Sequence, residues 1–320
     1  FEIDGIENDV LDVKVTPNRG HDCLSYRGIA KEVSAILDIP LKSDPFSSAE
    51  IRPPQEGIQI AIADPELCPR YIGCVIRGVK VGPSPEWLVK RLSMQGQHSI
   101  NNIVDVANYI MFDIGQPLHA FDAGLRVQKD GAYAIAVRLA RAGETIVALD
   151  EKEYQLAESM LVIADGHTDV PLGIAGVKGG KESGISDTTT DVILEAANFN
   201  GPSLRKSARA LKFRTDAVQR FEQVISPEVA AHGMRAFIEL VQQVAGGEVV
   251  GFADAYPQRP EQKTATVTLS KTNATLGTLL TAADVEDVFR RLGFSYEARG
   301  DAYVVSVPFE RLDLNPPAGG

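Results

Sequence analysis

Residues 101–122 constrain the fold of this chain more than any other stretch, because helical periodicity gives way there to an extended run within a few residues. Ile103, Val106, Ala107, Ile110 and Met111 recur at helical spacing and predict an amphipathic helix. Asn101, Asp105 and Asn108 fall three and four apart on another face, close enough to act together. Gly115 then stops the helix, and Pro117 fixes an extended exit that presents His119. A polar helix face beside a rigidly placed histidine makes a candidate site wall. The same pattern also fits a solvated helix face followed by a structural histidine.

The chain carries this segment within 320 residues, a length that at ~100–200 residues per domain suggests two or three domains. A hydrophobic content of 44% leaves ample material for a core. The net charge of −11 excludes a generic polyanion binder, so any nucleic-acid role needs a local basic patch or a shape-specific site. Cys23, Cys68 and Cys74 are too few and too scattered for a disulfide framework or a cysteine-based zinc site, and fit a reducing cytosol. No apolar run approaches the ~20 residues that span a bilayer, and no signal peptide is visible. A first residue Phe1 and a final Pro–Pro–Ala–Gly–Gly suggest a fragment.

Ahead of the central segment, residues 10–16 read as an edge strand, and Ser25 caps a helix with Ile29, Val33, Ile36 and Leu37 on one face. Proline and serine density marks 43–57 as a linker. Strands are predicted near 58–63 and 71–81, then a helix opening at Ser84–Pro85–Glu86, with Trp87, Leu88 and Leu92 as core contacts. Short strands follow over 132–139, 145–149, 160–164 and 191–196. Helices are predicted over 203–211, from Thr215–Asp216, and from Pro227 to Ala245, where Gly246–Gly247 ends the run. A second linker at 256–260 precedes a small β–α–β unit: a strand with Val267 and Leu269, a helix over 282–292 capped by Thr281, and a hairpin of 294–296 with 303–307.

Three further places hold chemistry. Residues 171–180 bring glycines at spacing three and a closing pair, which lets backbone approach a ligand or simply makes tight turns between crowded strands. A phosphate loop is excluded, since Gly180–Lys181 is followed by Glu182 rather than Ser or Thr. Glu195 follows the apolar Val192–Ile193–Leu194, where a buried carboxylate needs a partner unless it turns to water. Arg205, Lys206, Arg209, Lys212, Arg214 and Arg220, against Asp216 alone, make the one basic island, suited to RNA phosphate or to a solvated face paired with acidic neighbours. The five histidines show no metal-ligand spacing.

Taken together, these segments resemble the β subunit of bacterial phenylalanyl-tRNA synthetase. The resemblance rests on Thr16–Pro17–Asn18–Arg19 with Arg27–Gly28, Asn102–Ile103–Val104–Asp105 with Asn108–Tyr109, and Gly115 through Asp122. It continues through Gly173–Ile174–Ala175–Gly176 with Gly179–Gly180, Glu195–Ala196, and Arg214–Thr215–Asp216–Ala217 with Arg220–Phe221–Glu222. The resemblance implies an α+β fragment: 1–57 as the tail of an N-terminal domain with linker, 58–255 as a B3/B4-like editing domain of β-sheets flanked by helices, and 262–320 as a small, incomplete α/β B5-like domain.

It also implies a task, hydrolysis of tRNA(Phe) mischarged with tyrosine, or alternatively a non-catalytic scaffold for subunit assembly and tRNA positioning. His119 and Asn108 match the family's residues around the scissile ester and its attacking water, and Glu195 the acid that reads the tyrosine hydroxyl. Gly173, Thr215 and Ala217 match pocket-wall positions. The sequence departs from the pattern at Ala107, where many relatives carry Thr, and at Lys178, which replaces an apolar residue. By the same resemblance the partners are an α subunit, in a heterotetramer of two α and two β, and tRNA(Phe). The location is cytoplasmic, away from membranes; ATP and Mg serve the whole enzyme, with no metal and no cofactor in this part.

Overall fold

The computed structural model describes residues 1–7, 10–47 and 52–314. The architecture is mixed α and β, with two sheets stacked at its centre. One sheet has four antiparallel strands in the order Glu248–Ala255, Arg70–Arg77, Asp191–Asn198, Leu118–Asp122. The other runs Lys178–Gly179, Pro171–Ile174, Leu161–Asp165, Tyr133–Leu139, Ile58–Ile62, with only the last pair parallel.

The four-stranded sheet is covered on both faces, which explains why its central strands are apolar almost throughout instead of alternating. Side chains of a strand point alternately to opposite faces. Tyr71, Val75, Ile193, Ala197 and Phe121 therefore enter the layer between the sheets, with Ile135, Val162 and Leu172 facing them. Ile72, Cys74, Ile76, Val192 and Leu194 turn the other way, onto the helices Asn102–Ile114 and Val229–Ala245. Glu195 and His119 share the parity of Ile193 and Phe121, so both project into the inter-sheet layer.

The helix ends and the strand begins where the sequence predicts, whereas Asn101, expected on a polar helix face with Asp105 and Asn108, stands at the helix N-terminus. Asn101 caps the helix by accepting from the amides of Ile103 and Val104, and Gly115 ends it at φ 87°, a conformation suited to a residue without Cβ. Pro117 leads into the Leu118–Asp122 strand. The helix predicted from Pro227 is Val229–Ala245, ended by Gly246, and Thr281 forms a capping box with Asp284 at the start of Ala282–Leu292. A smaller three-stranded sheet over 264–306 packs its own apolar cluster around Val285, Tyr303 and Val305. No described helix is long and apolar enough to cross a membrane.

Several local expectations are corrected. Trp87 is 42% exposed and meets Tyr109 edge-on, whereas Leu88 and Leu92 are core. The second strand of the main body stops at Arg77 and does not reach residue 81. Leu269 opens a helix, Leu269–Leu276, because Thr268 accepts from the Lys271 amide and caps it. The strand at Val10–Lys14 pairs with Glu2–Glu7, a strand the sequence pattern does not reveal. On the helix Tyr26–Leu37, Val33, Ile36 and Leu37 face outward, and Arg27, Gly28 and Ala35 are its buried residues. Linker positions 48–51 and the end of the small C-terminal unit, 315–320, lie outside the described residues.

Candidate active site

A cavity of about 100 Å³ opens between the two sheets, lined by His119, Gly173, Gly179, Glu195 and Ala217 among others. That is several times the ~10–15 Å³ one water needs by this measure. Its remaining wall is largely apolar and includes Phe121, Ile163 and Phe221, with Lys178 the one cation among the lining residues. Residues more than ninety positions apart in sequence meet here because the sheet register brings them together.

Glu195 and His119 are direct cross-strand partners, so their side chains leave adjacent strands on the same face. Glu195 is 6% exposed, and its Oε2 accepts a hydrogen bond of 2.7 Å from the Tyr71 hydroxyl. Burial pushes its carboxyl up to about 7, while the Tyr71 hydrogen bond works in the opposite direction. No described residue donates to Oε1.

His119 Nε2 is shut off from solvent and has no hydrogen-bond partner among the described residues. Burial pulls the imidazole down to about 4, so it is neutral across the physiological range. The ring stands edge-on to Phe121, with centroids 4.6 Å apart. On its other side it lies against the backbone of Gly179: a Cβ there would sit 2.8 Å from His119 Cε1 and 2.9 Å from Nε2. A buried nitrogen lacking a partner is costly unless something else satisfies it.

Four of the six expected site residues, His119, Glu195, Gly173 and Ala217, meet at this cavity. Thr215 does not line it: its hydroxyl accepts from the Val218 amide and caps the helix Asp216–Phe221, which delivers Ala217 and Phe221 to the wall. Asn108 lies on the Asn102–Ile114 helix and is also absent from the lining. The polar face that looks like a site wall has other work. Asp105, fully buried, accepts from Ser84 Oγ and Ser99 Oγ at 2.5 Å each and from the Ile100 amide at 2.9 Å, and so fastens the preceding loop. One carboxylate group elsewhere, Asp22 and Glu32 beside Cys23, has metal-like spacing. The Arg19 guanidinium already occupies it, bonded to Asp22 Oδ2 at 2.7 Å and to Glu32 Oε1 at 2.6 Å.

With this geometry in place, comparison with known proteins is decisive for the family. A family model described as the B3/4 domain matches residues 67–246, and one described as the tRNA synthetase B5 domain matches residues 265–318. The chain belongs to the B3/4 domain family. It is 42% identical over 314 residues to the phenylalanine–tRNA ligase β subunit of Carboxydothermus hydrogenoformans, covering 97% of this chain and 38% of that protein. The corresponding subunit of Thermotoga maritima is 39% identical over 311 residues, covering 97% of this chain and 38% of its own length. The chain thus spans well under half the length of these relatives. An N-terminal fragment of the phenylalanyl-tRNA synthetase β subunit from Pyrococcus horikoshii aligns at TM-score 0.47 and 14% identity, covering 98% of this chain and 86% of that one.

Two features of this B3/4 domain lie beyond the sequence pattern. Gly179 is visible as part of a glycine-rich stretch, but its approach to His119 depends on a two-residue strand, Lys178–Gly179, that periodicity cannot detect. Tyr71 sits in an apolar run, where a tyrosine hydroxyl needs a buried partner. That requirement, set beside the same requirement at Glu195, is the available signal.

Proposed function

We propose that this chain is the editing part of a phenylalanyl-tRNA synthetase β subunit, hydrolysing the ester of Tyr-tRNA(Phe) while sparing Phe-tRNA(Phe). The observation that carries the reading is a carboxylate, Glu195, buried in a largely apolar cavity directly opposite a histidine with an unpartnered nitrogen. An apolar pocket alone tells tyrosine from phenylalanine poorly. A buried hydrogen-bonding group discriminates strongly, by about 10⁴–10⁵ in sites built that way, because it is left unpaired by the ligand lacking the hydroxyl.

On this reading the tyrosyl ring enters between the sheets and its hydroxyl donates to Glu195, while the ester stays at the mouth. Water adds to the ester carbonyl, the bond from the acyl carbon to the ribose oxygen breaks, one of the water's protons ends on the ribose oxygen and the other in solvent, and tyrosine leaves as its carboxylate. An activated ester asks mainly for orientation of the water and stabilisation of the oxyanion. A neutral imidazole held near 4 is a weak base, so His119 serves better by holding the water than by taking its proton. Ala217 and Gly173 keep the wall thin enough for the ring; Thr215 contributes through its helix cap, and Asn108 through the helix that leads to His119.

RNA is the partner the surface favours. Of the six cations in the basic island, Arg205 is bound to Glu222, and Arg220 is buried over the Phe112 ring, donating to the Leu24 and Asp216 carbonyls. Lys206, Arg209, Lys212 and Arg214 remain exposed without an ion pair to a described carboxylate. They lie on the preceding helix, Gly201–Leu211, and in the turn that leads to the helix delivering Ala217, on a chain of net charge −11. Partnership with an α subunit, and a division of the chain near 57 and 262, belong to the same proposal.

The test is a pair of deacylation rates in the assembled ligase. Glu195→Ala should slow hydrolysis of Tyr-tRNA(Phe) and shrink its preference over Phe-tRNA(Phe). His119→Ala should slow both esters, by about 10–100-fold, without erasing the preference. Unchanged Tyr-tRNA(Phe) hydrolysis in both variants would leave the scaffold role instead.

A further inference from the structure

Tyr71 is among the largest fully buried side chains of the molecule, and its one polar atom is spent on the site. It lies on the strand Arg70–Arg77, opposite Ala197, two positions along from the Gly73 that faces Glu195. Diagonal neighbours on one face of a sheet are within reach of an aromatic side chain. Gly73 carries no side chain, the tips of Ile58 and Ile60 cover it from the facing sheet, and the Tyr71 hydroxyl meets Oε2 at 2.7 Å. Tyr71 does not line the cavity. Its one hydrogen bond to the site is the one to Glu195.

We propose that Tyr71 is a positioning residue that holds Glu195 in the orientation and the ionised form needed to read a tyrosine hydroxyl. This rests on the reading of Glu195 given above. The phenolic proton is committed to Oε2, which leaves Oε1 as the oxygen that faces a ligand. A donor at that place also favours the carboxylate over the acid, against the desolvation that favours the acid. The other titratable groups around Glu195 offer no such help. His119, opposite on the neighbouring strand, is neutral; Cys68 is buried with its thiol pushed up by desolvation; Lys178, the cation of the cavity wall, turns its ammonium to the Phe213 ring, 5.8 Å from the centroid; and no described lysine or arginine bonds to Glu195.

The experiment measures the ratio of Tyr-tRNA(Phe) to Phe-tRNA(Phe) deacylation against pH in the assembled ligase. In the parent, the ratio rises with pH as Glu195 ionises. Tyr71→Phe should lower the ratio near neutral pH by about tenfold, the loss of one charge-assisted hydrogen bond, and move the midpoint of its rise to higher pH. In a Glu195→Ala background the same substitution should leave the ratio unchanged. Replacing Tyr71 by 3-fluorotyrosine, a stronger donor of nearly the same size, should move the midpoint to lower pH, and this variant decides the matter alone if Tyr71→Phe does not fold.

The positioning role is overturned if Glu195→Ala collapses the ratio while Tyr71→Phe keeps both ratio and midpoint, or if 3-fluorotyrosine leaves the midpoint in place. It is equally overturned if Tyr71→Phe lowers the ratio as much in the Glu195→Ala background, since the residue then acts by packing alone. A ratio that survives Glu195→Ala is a different failure: it removes the hydroxyl reader itself, and the proposal with it.

Discussion

At the residue scale, Gly179 and Glu195 show how the cavity sets function against stability. An added Cβ at Gly179 would meet the far end of the His119 ring at 2.8 Å and the Leu149 side chain at 3.1 Å, and no backbone, so side chains rather than the main chain must give. Gly179→Ala should therefore cost about 1–3 kcal/mol in urea unfolding, and lower deacylation of both esters as strongly as His119→Ala does. Glu195 adds a pH dependence. Its carboxyl is raised from an ordinary 4.5 to about 7 in the native state, so above pH 4.5 the unfolded chain loses a proton that the folded protein still holds. Native stability then falls as pH rises through this window, and the full penalty, on the order of 3 kcal/mol, is present above pH 7. Glu195→Gln should thus be more stable than the parent at pH 8, with the difference vanishing by pH 4. Urea midpoints at the two pH values check it, and a constant difference would mean that Glu195 is not desolvated in this way.

Among the elements, the helices Gly201–Leu211 and Asp216–Phe221 join the cavity wall to the exposed cations. If those cations meet RNA phosphates, changing Lys206, Arg209, Lys212 and Arg214 to glutamine should weaken tRNA binding. It should also flatten the dependence of log affinity on log salt by ~0.7 for each phosphate no longer neutralised. Filter binding across a salt series reads both, and an unaltered slope removes the island from the interface. Elements like these are legible in the sequence wherever a terminus residue marks them, as at Thr215, Thr281 and Gly115, whereas Asn101 reads as part of a helix face and is the cap. His119, Gly173, Glu195 and Ala217 come from the family resemblance, and the structure brings them together at the cavity. The misplaced parts are those set by tertiary contacts: Asp105 reads as a free carboxylate until Ser84 and Ser99 arrive from another loop. Trp87 reads as core until Leu88 and Leu92 take the inner face of its helix. Tyr71 can be paired with Glu195 only once the strand register is known.

For the whole molecule, the N-terminal segment acts as a clasp. Buried Arg27 donates to Glu310 Oε2 at 2.5 Å and to Asp44 Oδ1 at 2.6 Å, while its guanidinium lies 3.6 Å from the Phe46 ring centroid. Phe46 stacks on His232, and His232 on Phe309, so a single column ties the linker, the long helix and the C-terminal unit together. Arg27→Ala should leave Asp44 without its cation, while Lys31 keeps Glu310 paired, and cost ~1.5–3 kcal/mol, and it should speed limited proteolysis around residues 256–263. Equal cleavage rates in variant and parent would show that the column holds without Arg27. The pairing of His119 with Glu195 across one ladder has a different kind of consequence, for how the chain tolerates changes of length. Residues may be gained or lost in the exposed turns between Asp122 and Asp191 without altering which side chains stand opposite. One residue inserted between His119 and Asp122 would instead turn the histidine to the helical side of the sheet, into the apolar packing of Leu194 and Val106. Over this one strand, then, an insertion is a more severe lesion than most substitutions, and length is held as tightly as chemistry.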